Sequence, residues 1–184
     1  IDHFDVVPDL LTFAKGVTSG YVPLGGVAIG ERIAQTFADR PYPGGLTYSG
    51  HPLAAACAVA TITAMEDEGM VANAARIGQQ VLGPALRDLA QRHPSVGEVR
   101  GLGVFWAVEL VADPVTREPL APYGGSSPAM NAVIGACKSG GMLPFANYNR
   151  IHVCPPCNVT DAEVAEGLAI LDSALDVADG HVTN

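Results

Sequence analysis

Val7-Pro8-Asp9-Leu10-Leu11-Thr12-Phe13-Ala14-Lys15-Gly16-Val17-Thr18-Ser19-Gly20-Tyr21-Val22-Pro23-Leu24-Gly25-Gly26 is the stretch from which the rest of the chain is read. Leu10, Leu11 and Phe13 form a short apolar run that predicts a buried strand, and Lys15 stands at its end. Gly16, Gly20, Gly25 and Gly26 then give the backbone freedom to approach a bound group closely. Lys15 and Lys138 are the only lysines. Phe13 and Ala14 precede Lys15 where a surface lysine would have polar neighbours. An amine desolvated in this way has a lowered pKa and attacks aldehydes as a Schiff-base lysine does. The alternative is a strand-end lysine that reaches out to water along its aliphatic stem.

A second stretch, Thr47-Tyr48-Ser49-Gly50-His51-Pro52-Leu53-Ala54, follows at a fixed distance. Together, Pro8 to Gly16, Thr18 to Gly26 and Thr47 to Ala54 closely resemble the cofactor-lysine region of class III (omega) aminotransferases. The resemblance runs nearly end to end, but only onto the C-terminal part of such an enzyme. It implies an α/β fold, the C-terminal part of a fold type I transferase dependent on pyridoxal 5'-phosphate. It also implies Lys15 as the catalytic lysine, which carries the cofactor and shuttles a proton to and from the substrate carbon. Thr47 would bind the cofactor phosphate of the neighbouring subunit, so a homodimer with shared active sites is expected. Family members place a glycine-serine/threonine phosphate loop, a ring-stacking aromatic and an acidic partner of the pyridine nitrogen before the lysine. Asp2 and Asp5 lie too close to Lys15 to fill the last role. Ile1 is not a methionine and reads as mid-domain sequence, which predicts a fragment.

Composition narrows the alternatives. The 184 residues are 48% hydrophobic and 16% charged, which is globular and argues against disorder. A net charge of −9 disfavours nucleic acid and anionic membranes as partners. No apolar run reaches transmembrane length. Cys57, Cys137, Cys154 and Cys157 are too few for a disulfide scaffold. Cys154-Pro-Pro-Cys157 has no second cysteine pair, so no metal site is expected. The thiols are expected to be free and buried, in a cytoplasmic protein.

Two domains are expected, a remnant of the large cofactor-binding domain over 1–68 and a linking helix with a small α/β domain over 69–184. Val27 to Ile29 predicts a second buried strand and Glu31 to Ala38 a short helix. Ser49 is the expected N-cap of an alanine-rich helix from Pro52 to about Gly69. A long helix spans about Val71 to Arg92, with Gly78, Gly83 and Pro84 interrupting its regularity. Val104 to Val111 is a strand, Ala112 to Ser127 an exposed loop, and Pro128 to Lys138 a helix. Met142 to Phe145 and Ile151 to Cys154 are short strands. Thr160-Asp161-Ala162-Glu163 is a capping box for a final helix with Val164, Leu168, Leu171 and Leu175 on one face.

Substrate choice is read from Arg150-Ile151-His152-Val153-Cys154, where alternation puts residues 150, 152 and 154 on one side. Enzymes of the class that use 2-oxoglutarate often carry a carboxylate-clamping arginine three residues before the Pro-Pro step. His152 holds that position here and Arg150 lies two residues earlier. The resemblance therefore points to an omega-amino acid or primary amine as donor and a 2-oxo acid as acceptor, with pyruvate ahead of 2-oxoglutarate. Arg100 reads as a structural turn residue, and His51 is assigned no role. Tyr21 and Tyr48 either line the pocket or belong to the core. A mutase or racemase on the same fold, or a non-catalytic truncated α/β fragment, are the rival readings.

Overall fold

The computed structural model describes residues 1–183 and combines helices with antiparallel sheets. Packing divides the chain into two compact units, Ile1–Glu68 and Gly69–Asn184.

In the first unit β1 (Leu10–Ala14) pairs antiparallel with β2 (Gly25–Ile29), in a register running from Leu10 opposite Ile29 to Ala14 opposite Gly25. Phe13 lies across from Gly26, and a Cβ on Gly26 would stand 2.3 Å from the Phe13 ring, so the ring needs glycine there. α1 (Glu31–Ala34) and a 3₁₀ turn (Gln35–Phe37) follow. α2 (Pro52–Asp67) then carries the alanine-rich run. Its N-cap is His51, whose Nδ1 accepts from the Leu53 N–H at 3.1 Å, and not Ser49. Pro52 fixes this choice, because a proline at the first helical position makes the residue before it the cap.

The apolar strands of this unit are not buried by its own residues. Every residue of β1 is exposed, and β2 is exposed at all but one position. On α2 only Ala54 and Ala58 are buried.

The second unit has a full core. α3 (Met70–Ile77), a π-helical turn (Gly78–Leu82) and α4 (Gly83–Arg92) run on without a break. Pro84 lacks an N–H, and the wider turn before it lets the helix continue through the missing bond. β3 (Val96–Leu102), β4 (Phe105–Asp113), β7 (Arg150–Val153) and β6 (Phe145–Asn147) lie in that order, all antiparallel. The short β5 (Glu118–Pro119) pairs with β4. The expected exposed loop over 112–127 therefore contains a strand, and Leu120 and Ala121 behind it are buried.

α5 (Pro128–Ser139) and α6 (Asp161–Asp179) complete the unit. Leu82, Leu86, Val108, Leu110, Met130, Val133, Ile151, Leu171 and Leu175 are all within 1% of full burial. Each such side chain contributes roughly 1.5–3 kcal/mol on leaving water. Both halves of the Thr160 capping box form: Glu163 N–H donates to Thr160 Oγ1 at 3.3 Å, and Thr160 N–H donates to the Glu163 carboxylate at 2.8 Å. The four cysteines are free, but only Cys137 is buried; Cys154 and Cys157 are exposed.

Candidate active site

β1 delivers Lys15 to the first turn of a short 3₁₀ helix (Lys15–Thr18). Its backbone is left-handed, with φ +55°, and Ser19 three residues on from Gly16 is left-handed as well, at +51°. A non-glycine residue held there costs of order 1–3 kcal/mol and persists only where its surroundings enforce it. The enforcing contacts are local. Thr18 is 1% exposed, and its hydroxyl donates to the Val22 carbonyl at 2.5 Å. Ser19 N–H donates to the Gly16 carbonyl at 3.0 Å, and the Cys57 thiol of α2 donates to the Thr18 carbonyl at 3.5 Å.

Lys15 lines a cavity of about 610 Å³ together with Thr18, Gly20, Tyr48, Ser49 and Gly50. No carboxylate is among its lining residues, and Lys15 forms no ion pair among the described residues. The Tyr48 ring stacks on His51, centroids 5.4 Å apart and planes 8° apart, so the residue that caps α2 also places a wall of the cavity. Tyr21 does not line it and is exposed. Thr47 does not line it either, although Leu46 and Tyr48 on both sides of it do. Lys15 itself is exposed. The desolvated amine expected from Phe13 and Ala14 is therefore not produced by the described residues, because β1 leaves the Phe13 side half in water.

An unpaired primary amine over a cavity floored by glycines, with the Ser49 hydroxyl nearby, suits an aldehyde-bearing cofactor with an anionic tail. A cavity without carboxylates leaves the amine free to react and does not repel a phosphate. The residues present thus fit pyridoxal 5'-phosphate at the lysine end.

Arg150 and His152 belong to the second unit. The register of β7 sets Arg150 opposite Glu109 and Asn147, and His152 opposite Ala107 and Phe145, so the two share a face as alternation requires. They open into separate hollows, however. His152 lines one of about 300 Å³ with Leu143, Phe145 and Cys154, while Arg150 lines one of about 330 Å³ with Arg117, Tyr123 and Tyr148. His152 lies between Phe145 and Phe105, centroids 5.1 and 6.1 Å away, and its Nε2 is buried without a hydrogen-bond partner. Burial, then the positive charges of Arg150 and Arg100, hold its pKa below the ordinary 6.5, so the ring is neutral at neutral pH. The Arg150 guanidinium lies 5.8 Å over the Tyr148 ring and has no carboxylate partner among the described residues.

Arg100 is not in a turn. It sits within β3 and pairs with Glu109 at 2.9 Å and Glu98 at 3.2 Å. Sequence reasoning also missed the Tyr123–Tyr148 pair, centroids 4.8 Å apart. Tyr148 carries a left-handed φ of +57° in the turn between β6 and β7, and the flanking Asn147 and Asn149 were the available sign of that turn.

The sequence profile of the class-III aminotransferases matches residues 1–175. The taurine–pyruvate aminotransferase of Bilophila wadsworthia is 34% identical over 94% of this chain, and the diaminobutyrate–2-oxoglutarate transaminase of Halomonas elongata 36% identical over 95%. This chain spans 39% and 38% of those two proteins. Among solved structures, the taurine:2-oxoglutarate aminotransferase from Bifidobacterium kashiwanohense, in complex with PLP and glutamate, superposes with a TM-score of 0.91 at 38% identity, over 99% of this chain and 41% of that one. An amine transaminase from an uncultivated Pseudomonas species, in its PLP-bound form, gives 0.85 at 36% identity, over 95% of this chain and 40% of that one.

Proposed function

We propose a function from one premise: this chain belongs to the class-III aminotransferase family. It is the lysine-bearing part of an enzyme that uses pyridoxal 5'-phosphate to move an amino group from an omega-amino acid or primary amine to a 2-oxo acid. The observation that carries this reading is Lys15, a left-handed lysine with no ion pair among the described residues, on the rim of a cavity that no described carboxylate lines.

When bound, the cofactor supplies an electron sink for the substrate carbon. The chain's own residues do the rest. The Lys15 amine anchors the cofactor and, once released by the incoming substrate amine, holds a proton at Nζ beside the carbon that loses it. Gly20 and Gly50 let backbone approach the bound group, and the Ser49 hydroxyl offers it a donor. Thr47 is not among the residues that line the cavity, although its neighbours are, and the family resemblance supports a role for it at the site of a second subunit and hence a homodimer with shared sites. The free thiols support a cytoplasmic setting. No helix among the described residues is long and apolar enough to cross a membrane.

The similar proteins divide between pyruvate and 2-oxoglutarate, so the acceptor rests on β7. A neutral His152 between two phenylalanines offers no cation to a second carboxylate, which favours pyruvate. Arg150, on the same face of β7 and without a carboxylate partner among the described residues, is the candidate to take over the role.

In the full-length parent, Lys15→Ala is expected to abolish transamination, measured as alanine formed from pyruvate and an amine. Near-normal turnover would refute the assignment. Steady-state kinetics of the unaltered parent with both acceptors test the rest: a clear preference for 2-oxoglutarate would refute the pyruvate reading and show that Arg150 or another group does the clamping.

A further inference from the structure

We propose that His93 is the protonated pin of a pH-sensitive clamp that ties the end of α4 to the last turns of α6. The His93 side chain is 4% exposed, and each ring nitrogen meets a different carboxylate. Nε2 lies 2.7 Å from Asp172 Oδ1, and Nδ1 lies 2.7 Å from Asp179 Oδ2. A neutral imidazole carries one N–H. It would satisfy one of these contacts and turn a lone pair on the other carboxylate. Only the imidazolium donates both.

Both carboxylates are held by other donors as well. Asp179 Oδ1 is occupied by Ser95, whose N–H and hydroxyl donate to it at 3.1 and 2.6 Å. Asp172 Oδ1 also takes the Arg92 guanidinium at 2.8 Å, and Arg92 reaches Asp88 at 3.0 Å. Asp176 stands 4.0 Å from Nδ1. From α4, then, Arg92 and Asp88 face the cluster, and from α6 Asp172, Asp176 and Asp179 do. With His93 charged, two cations meet four carboxylates; with it neutral, one cation meets four.

The clamp also sets the path into the sheet. His93 is extended (φ −109°, ψ 109°), as the residue before Pro94 must be. Ser95, fully buried, accepts from the Val111 N–H of β4 at 2.8 Å through its carbonyl. Loss of the pin therefore loosens α6, the α4–β3 junction and the edge of β4 together.

Burial presses the His93 pKa down, but the hydrogen bonds to Asp172 and Asp179 and their charges outweigh it and hold the group above 6.5. The sign follows. The clamp's stabilisation is fully present below 6.5 and is lost as pH rises through the folded-state pKa. Asp172, held below the usual carboxylate range by Arg92 and then His93, stays charged across that window.

Urea unfolding of the whole chain, followed by Trp106 emission, tests this. Trp106 is the sole tryptophan and lies in the second unit's core, so it reports on that unit. The unfolding constant should rise about tenfold per pH unit above 6.5 until His93 loses its proton in the fold. His93→Gln should be flat over the same range, and a slope retained in that variant would overturn the proposal. Should His93→Gln not fold, NMR titration decides. The His93 ring of the unaltered chain should titrate above 6.5, and lower in Asp179→Asn than in the unaltered chain. A ring that titrates at or below 6.5 in the unaltered chain overturns it.

Discussion

Replacing Gly78 by alanine should destabilise the second unit, although alanine is the better helix former. An added Cβ would lie 2.1 Å from the Gly103 carbonyl oxygen, 2.5 Å from its carbon and 2.6 Å from its Cα, where ordinary contact begins near 3.4 Å. What must yield is backbone. Gly103 is itself left-handed, with φ +55°, in the turn between β3 and β4, and its oxygen accepts the Trp106 indole N–H at 2.7 Å. The helix gains about 1 kcal/mol from the substitution. Overpacking costs about 1–3 kcal/mol, and a displaced indole bond costs about 1 kcal/mol more. The net loss is about 2 kcal/mol, which lowers the folded-to-unfolded ratio roughly 30-fold. Urea unfolding followed by Trp106 emission measures it. Gly135→Ala in α5 is the comparison, since a Cβ there meets nothing within 4 Å and should stabilise the chain. A Gly78→Ala chain as stable as the unaltered one would show that the helix and turn are not in the contact described.

Two further outcomes are expected. Thr160→Ala removes the side-chain half of the α6 capping box and should cost about 1 kcal/mol in the same assay; no loss would mean that the cap is dispensable. Because the His152 pKa is depressed in the fold, stability should fall as pH drops below 6.5, where the unfolded chain takes up the proton first. His152→Leu should remove that acid-side loss, and an unchanged pH dependence would count against a buried neutral ring.

Short-range features were legible in the sequence, and those that depend on what lies opposite were not. Thr160 and Glu163 satisfy each other within one turn, so their spacing was enough. The helix over residues 70–92 was visible in its apolar periodicity, but the π turn that absorbs Pro84 was not, because it depends on glycines fitting against Gly103 and Trp106. Leu10, Leu11 and Phe13 show that β1 is suited to burial; they do not say what buries it, and the first unit's residues do not. Residue type predicts buried thiols at Cys154 and Cys157, yet both are exposed. The His93 cluster joins residues 79 and 86 positions apart, a separation at which no periodicity carries a signal.

Lys15 lies in the unit with the fewer buried side chains. The first unit's buried side chains among the described residues are Thr18, Ala54 and Ala58, against a cluster of twenty in the second unit. Among the described residues, the contacts that hold the left-handed lysine turn are local. Thr18 is buried where its turn packs on α2: its carbonyl accepts from the Cys57 thiol of that helix, while its hydroxyl donates to Val22 in the loop. The turn is therefore pinned three residues beyond Lys15 while the amine end is left open. Gly16, between the pin and the lysine, meets nothing within 4 Å of its would-be Cβ, so space on that side is kept clear. A left-handed backbone and an amine with no ion pair among the described residues support the role proposed for Lys15. An amine serving only to stabilise the fold would be expected to show the reverse, a relaxed backbone and a paired head group.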